Sequence, residues 1–157
     1  RLKEINDSYG HLTGDAVLAK LAETVRGEIR SIDVFARLGG DEFALILPGT
    51  GHEGALILAA RIRHRLALES VELQQKDSVK ISASLGIAVL HINRGDPEEL
   101  GKALYDRADR AVYHVKQERR GGVALCTGDG PAMVPDENLE TKAAKPQPPA
   151  GKTSPWE

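Results

Sequence analysis

Two short strand-like runs, "DVFARL" at 33–38 and "EFALILP" at 42–48, are separated by Gly39, Gly40 and the adjoining acid Asp41. A chain that reverses within so few residues forms a hairpin, because glycine supplies the positive φ of a tight turn at little steric cost. The segments around the hairpin change period. From Thr13 to Arg30 the residues Leu18, Leu21, Ala22, Val25 and Ile29 recur at helical spacing, with Thr13 as the expected N-cap. A second helix is predicted over about 52–69, with Leu58, Ile62 and Leu66 on one face. A third runs from Pro97, a favoured first helical residue, to Arg119, with Leu100, Leu104, Ala108, Ala111 and Val115 inward. Between them "VKISASLGIAVL" alternates, turning Val79, Ile81, Ala83, Leu85, Ile87 and Val89 to one side, and predicts a single strand. "GGVALC" predicts a last, edge strand. Helices interleaved with strands in this order predict an α/β two-layer sandwich.

The chain of 157 residues is long enough for one domain with a real core. After Cys126 the character changes. Six of the eight prolines fall within 127–157 and large apolar residues are few, which predicts a disordered Pro-rich C-terminal tail after a domain spanning 1–126. A net charge of −2 gives no broad attraction to nucleic acid. A single cysteine excludes an intrachain disulfide and fits a reducing, cytoplasmic setting. No apolar run reaches the roughly 18 residues of a membrane span. The sequence opens in mid-phrase at "RLKEIND", so a fragment of a longer protein is expected.

The acids at the hairpin tip ask for an explanation. Adjacent carboxylates repel unless a cation lies between them. Asp41 and Glu42 are suited to a hard cation such as magnesium, which takes oxygen ligands and favours a phosphate as co-ligand. Gly39 and Gly40 would let the backbone approach that phosphate. Taken alone, "GGDE" is read more simply as a solvated turn.

The wider pattern adds to this. "LKEINDSYGHLTGDAVL", "RLGGDEFALILP", "ISASLGIAVL" and "ADRAVYHVK" follow one another in the order seen in one family. Over residues 2 to about 126 the chain resembles the GGDEF domain of bacterial diguanylate cyclases, with the pentapeptide Gly39, Gly40, Asp41, Glu42, Phe43 whole. The resemblance implies a nucleotidyl-cyclase palm, ferredoxin-like, with an antiparallel β-sheet and flanking helices. It implies condensation of two GTP into cyclic di-GMP with release of pyrophosphate. Two domains, each holding one GTP, would form the working homodimer, with Mg2+ or Mn2+ as cofactor. An upstream sensory or receiver domain is expected in the full protein, which upstream segments could anchor to a membrane.

Residue roles follow from the same resemblance. Asp41 becomes a metal ligand and the group assisting deprotonation of the 3′-hydroxyl, and Glu42 the second acid at the metals. Base recognition falls to Asn6 and Asp15. A carboxylate can accept from the N1–H and amino group of guanine, donors that adenine does not match. From their positions alone, Asn6 reads as a turn residue and Asp15 as a helix-dipole acid. Phosphate cations map to Lys3, Lys116 and Arg120, the last two spaced four apart, although basic residues at a helix C-terminus are also ordinary. "RSID" matches the family's RxxD product-inhibition motif, making Arg30 and Asp33 an inhibitory product site with Arg61 as its auxiliary arginine.

The chain departs from the family pattern in two places. Arg119 stands where the family usually has glycine, which bears on the aim of Arg120. The aspartate-bearing strand that the family carries ahead of Lys3 is not in the sequence, with Leu2 at its phenylalanine place. On that pattern the first strand is missing, half a metal site remains and the fragment is expected to be impaired. The alternative activities are a cyclic di-GMP receptor acting through Arg30 and Asp33, and a GTP-binding regulatory domain.

Overall fold

A computed structural model describes residues 2–73, 77–91, 95–128 and 130–144. The elements in chain order are α1 (Leu2–Tyr9), α2 (His11–Arg26), β1 (Val34–Gly39), β2 (Glu42–Ile46), α3 (His52–Leu68), β3 (Ser70–Glu72), β4 (Ser78–Lys80), β5 (Leu85–Ala88), α4 (Pro97–Glu118), β6 (Val123–Thr127), β7 (Gly130–Met133) and α5 (Asp136–Ala143). Among the described residues no helix is long and apolar enough to cross a membrane. The α/β class with helices flanking the sheets is as predicted. The chain divides into two compact units, one of residues 1–49 and 64–81, the other of 50–63 and 82–144.

In the first unit α2 buries Val17, Leu18 and Val25, and the antiparallel pairs β1–β2 and β3–β4 each make a two-stranded sheet. The predicted helix at 13–30 proves to be part of a helical pair. Gly10, at φ +84°, occupies the N-cap of α2, and Thr13 instead donates its hydroxyl to the Tyr9 carbonyl at 2.9 Å. Local spacing misses α1 because an eight-residue helix is marginal alone, and here it lies in contact with α2. The C-cap at Gly27 ends α2 early, which leaves Arg30 to Asp33 in a loop.

The second unit is built on a three-stranded sheet ordered β5–β6–β7, with β5 parallel and β7 antiparallel to β6. One sheet is therefore mixed rather than antiparallel. On it lies α4, started by Asp96, whose carboxylate accepts from the Glu98 and Glu99 amides at 3.0 and 3.1 Å, with Pro97 following. Ala111, Val115, Ala124 and Cys126 form a buried cluster with Met133 packed against it.

Three expectations are corrected here. "VKISASLGIAVL" is two strands: Val79 pairs with Val71, whereas Leu85–Ala88 pair with Val123–Cys126. Alternation records which side is buried, not which strand supplies the ladder. The strand at "GGVALC" is central, because β7 covers its other edge. Residues 127–157 are not a uniformly disordered tail. Pro131 lies on an edge strand and Pro135 at the N-cap of α5, two places where proline's missing N–H is tolerated. Val134 at 8 % and Leu139 at 2 % exposure anchor the segment. Residues 145–157, which carry the remaining four of those prolines and Trp156, lie outside the described residues.

Candidate active site

The hairpin tip is built by the strands beneath it. Pairing runs in register from Val34↔Ile46 to Arg37↔Phe43, then slips so that Gly39 faces Glu42. That slip makes room for Gly40 at φ +51°, a left-handed conformation that a side chain would strain. Arg37 closes the turn: its Nε and Nη2 donate to the Gly40 carbonyl at 3.0 and 2.7 Å. Beneath, the Phe35 and Phe43 rings stack with centroids 5.3 Å apart, and the Arg26 guanidinium lies 5.9 Å from the Phe35 centroid. Phe43 thus ties the pentapeptide to the body of the hairpin, while Asp41 and Glu42 are exposed.

Among the described residues no group of three or more His, Cys, Asp or Glu side chains converges as a complete metal cage. The two carboxylates still fit a magnesium ion in donor chemistry. That ion is commonly held by one or two carboxylates, with substrate phosphates and water completing its octahedron.

Asn6, Asp15 and Lys3 also belong to the first unit. Lys3 and Asp15 are exposed on α1 and α2. Asn6 is half-buried, and its Oδ1 is buried without a hydrogen-bond partner among the described residues. The same oxygen lies directly over Gly14, the neighbour of Asp15. Within "RSID" the backbone closes a small ring. The Arg30 amide donates to Asp33 Oδ2 at 2.8 Å and the Asp33 amide to the Arg30 carbonyl at 3.1 Å. Asp33 Oδ1 is buried and has no partner among the described residues.

The remaining predicted residues fall in the second unit. Arg61 is buried at 8 % exposure on α3. Lys116 is in the last turn of α4, but Arg120 lies beyond the helix end, so helical spacing does not align the two. Arg119 is the C-cap in extended conformation, with Gly121 at φ +79° turning the chain two residues later. Sequence reasoning did not single out Arg37, whose only sequence signal is its place two residues before the glycines, or Gly14, which carries no side chain to suggest a role.

Strands flanked by helices, with a glycine turn presenting two acids at a hairpin tip, define a GGDEF-type α/β domain. The family model "Diguanylate cyclase, GGDEF domain" matches residues 1–122, and the chain belongs to that family. Diguanylate cyclase TpbB of Pseudomonas aeruginosa is 37% identical over 150 residues, 95% of this chain and 33% of that protein. Diguanylate cyclase A of Treponema denticola is 34% identical over 129 residues, 82% of this chain and 33% of its own. The chain thus spans about a third of the length of these relatives. The crystal structure of the TpbB GGDEF domain superposes with a TM-score of 0.69 at 39% identity, over 80% of this chain and 75% of that one. The GGDEF domain of DgcB from Caulobacter crescentus, in complex with c-di-GMP, gives a TM-score of 0.69 at 28% identity, over 79% and 71%.

Proposed function

We propose that this chain is the catalytic domain of a diguanylate cyclase, condensing two GTP molecules into cyclic di-GMP. In each half-reaction the 3′-hydroxyl oxygen of one nucleotide bonds to the α-phosphorus of the other. The bond from that phosphorus to its bridging oxygen breaks, and pyrophosphate leaves. The hydroxyl proton passes to the Asp41 carboxylate. Two identical bonds close the ring, so two copies of the domain face each other and two pyrophosphates are released.

The observation that carries this reading is the intact Gly39-Gly40-Asp41-Glu42-Phe43 turn on a family hairpin, pinned by Arg37 so that both acids face solvent. Asp41 and Glu42 would hold magnesium or manganese, which would acidify the attacking hydroxyl and neutralise charge on the phosphates. Asn6 and Asp15 would read the guanine. Lys3, Lys116 and Arg120 are assigned to the phosphates, and Arg61 to the product site, on the family pattern alone. Feedback by cyclic di-GMP at Arg30 and Asp33 is part of the proposal, and the buried Asp33 Oδ1, without a hydrogen-bond partner among the described residues, supports a ligand there.

The test is the full-length protein incubated with GTP and magnesium, with nucleotide products separated chromatographically. Wild type should form cyclic di-GMP, and Asp41→Ala and Glu42→Ala should each lower turnover by orders of magnitude. Near-native turnover in both variants would refute the assigned roles. Tight cyclic di-GMP binding with no turnover in wild type would favour a receptor.

A further inference from the structure

Gly14 lies in the first turns of α2 with ordinary helical backbone, so no positive φ requires glycine there. Gly10, four residues earlier, is the contrasting case: it has φ +84° and nothing within 4 Å of the place a side chain would begin. Glycine inside a helix costs about 1 kcal/mol relative to alanine, so Gly14 is unfavourable for α2 taken alone. What it supplies is space. A Cβ on Gly14 would come within 1.9 Å of Asn6 Oδ1, 3.0 Å of Asn6 Cγ and 3.3 Å of Leu2 Cδ1. Asn6 therefore rests its carbonyl end on the bare backbone of α2. Its amide nitrogen, the donor end, lies farther from that point than the 3.3 Å of the third-nearest atom.

We propose that Gly14 is a positioning residue for base selection: its missing side chain is the seat that fixes the Asn6 amide beside Asp15. This rests on the reading of Asn6 as a base contact. The seat turns the Asn6 donor away from Gly14, while the next residue along α2, Asp15, offers only acceptors. One donor beside a carboxylate matches the O6 acceptor and the N1–H and amino donors of guanine, and mismatches adenine. The group displaced by a Cβ is the far end of a flexible side chain. A substitution at Gly14 is therefore relieved by rotating Asn6 away, at small cost to the fold and full cost to the orientation.

The experiment uses the full-length enzyme with Gly14→Ala, Asn6→Ala and the double variant. It measures KM for GTP, competition by ATP, and thermal melting. Gly14→Ala should raise the GTP KM about tenfold and lower the preference for GTP over ATP by a similar factor, with a melting temperature equal to or above wild type. The double variant should match Asn6→Ala alone, because the displaced side chain has already been lost. Base preference belongs to the folded molecules and is read correctly even if some protein unfolds. Loss of preference in Asn6→Ala but not in Gly14→Ala would overturn the proposal and leave the reading of Asn6 standing. Unchanged preference in Asn6→Ala would overturn that reading and the proposal with it.

Discussion

Asp136 grips the guanidinium of Arg119 through both of its carboxylate oxygens, with Arg119 Nη2 donating to Oδ1 at 2.8 Å and Nη1 to Oδ2. Arg63 Nη1 donates to the same Oδ1 at 2.5 Å. Together with Lys142 Nζ, 2.6 Å from Glu53, these contacts hold α5 to α3 and to the end of α4. The residue that replaces the family's usual glycine is thereby employed as an anchor for the segment after β6.

Asp136→Ala should cost about 1 to 2 kcal/mol at neutral pH, a network value discounted because the Asp136 and Arg119 side chains are 35% and 49% exposed. Arg119, and then Arg63, hold the Asp136 carboxyl below its ordinary value of 3.8, against an opposing effect of burial. A depressed carboxyl stabilises the fold above the unfolded value and loses that contribution as pH falls through the folded one. Melting curves of wild type and Asp136→Asn should differ at pH 7 and converge as the pH drops below 3.8. Equal melting temperatures at pH 7 would show that the anchor carries no stability.

Gly86 is a packing glycine of another kind. A Cβ there would meet the Ala108 carbonyl oxygen and the Val112 nitrogen, each at 2.5 Å, and both are helix backbone that cannot rotate aside. Gly86→Ala should push β5 from α4 and lower stability by about 2 to 3 kcal/mol, the scale of overpacking in a tight core. Chemical denaturation would report it. A wild-type midpoint would mean that the strand and helix separate without penalty.

Arg37 works on geometry more than on stability. Arg37→Lys keeps the charge but cannot reproduce two donors in a planar fork on the Gly40 carbonyl. Since the tip is exposed, melting should change little. Turnover by the full-length enzyme should nevertheless fall about 10- to 100-fold, as a misplacement near 1 Å does at reacting groups. Native turnover would reduce the clamp to scaffolding.

The ring at "RSID" separates main chain from side chain. Arg30→Ala removes the guanidinium but retains the backbone amide that orients Asp33 Oδ2. Cyclic di-GMP should therefore bind about 30-fold more weakly, roughly 2 kcal/mol for one lost charge-assisted contact, with turnover retained. Calorimetry on the full-length protein measures this, and unchanged affinity would remove Arg30 from the proposed product site.

Much was legible in the sequence because it is local. Helical periodicity located α3 and α4, Pro97 marked a helix start, and paired glycines marked the turn that carries Asp41 and Glu42. Turn chemistry and period depend on neighbours within a few residues, so the sequence by itself determined the hairpin tip and the acids on it.

The tertiary structure alone decided partnership. Alternation through "VKISASLGIAVL" says that one face is buried, but Val79 pairs with Val71 whereas Leu85 pairs with Val123. A proline-bearing segment gained a strand and a helix because β6 had a free edge and because Arg63 and Arg119 supplied cations for Asp136. Asn6 became seated because a glycine eight positions later, on another helix, offered no side chain. Each of these outcomes depends on residues that meet only after the chain has folded. Composition and period average over such contacts, whereas hydrogen-bond ladders, ion pairs and steric room are settled pair by pair.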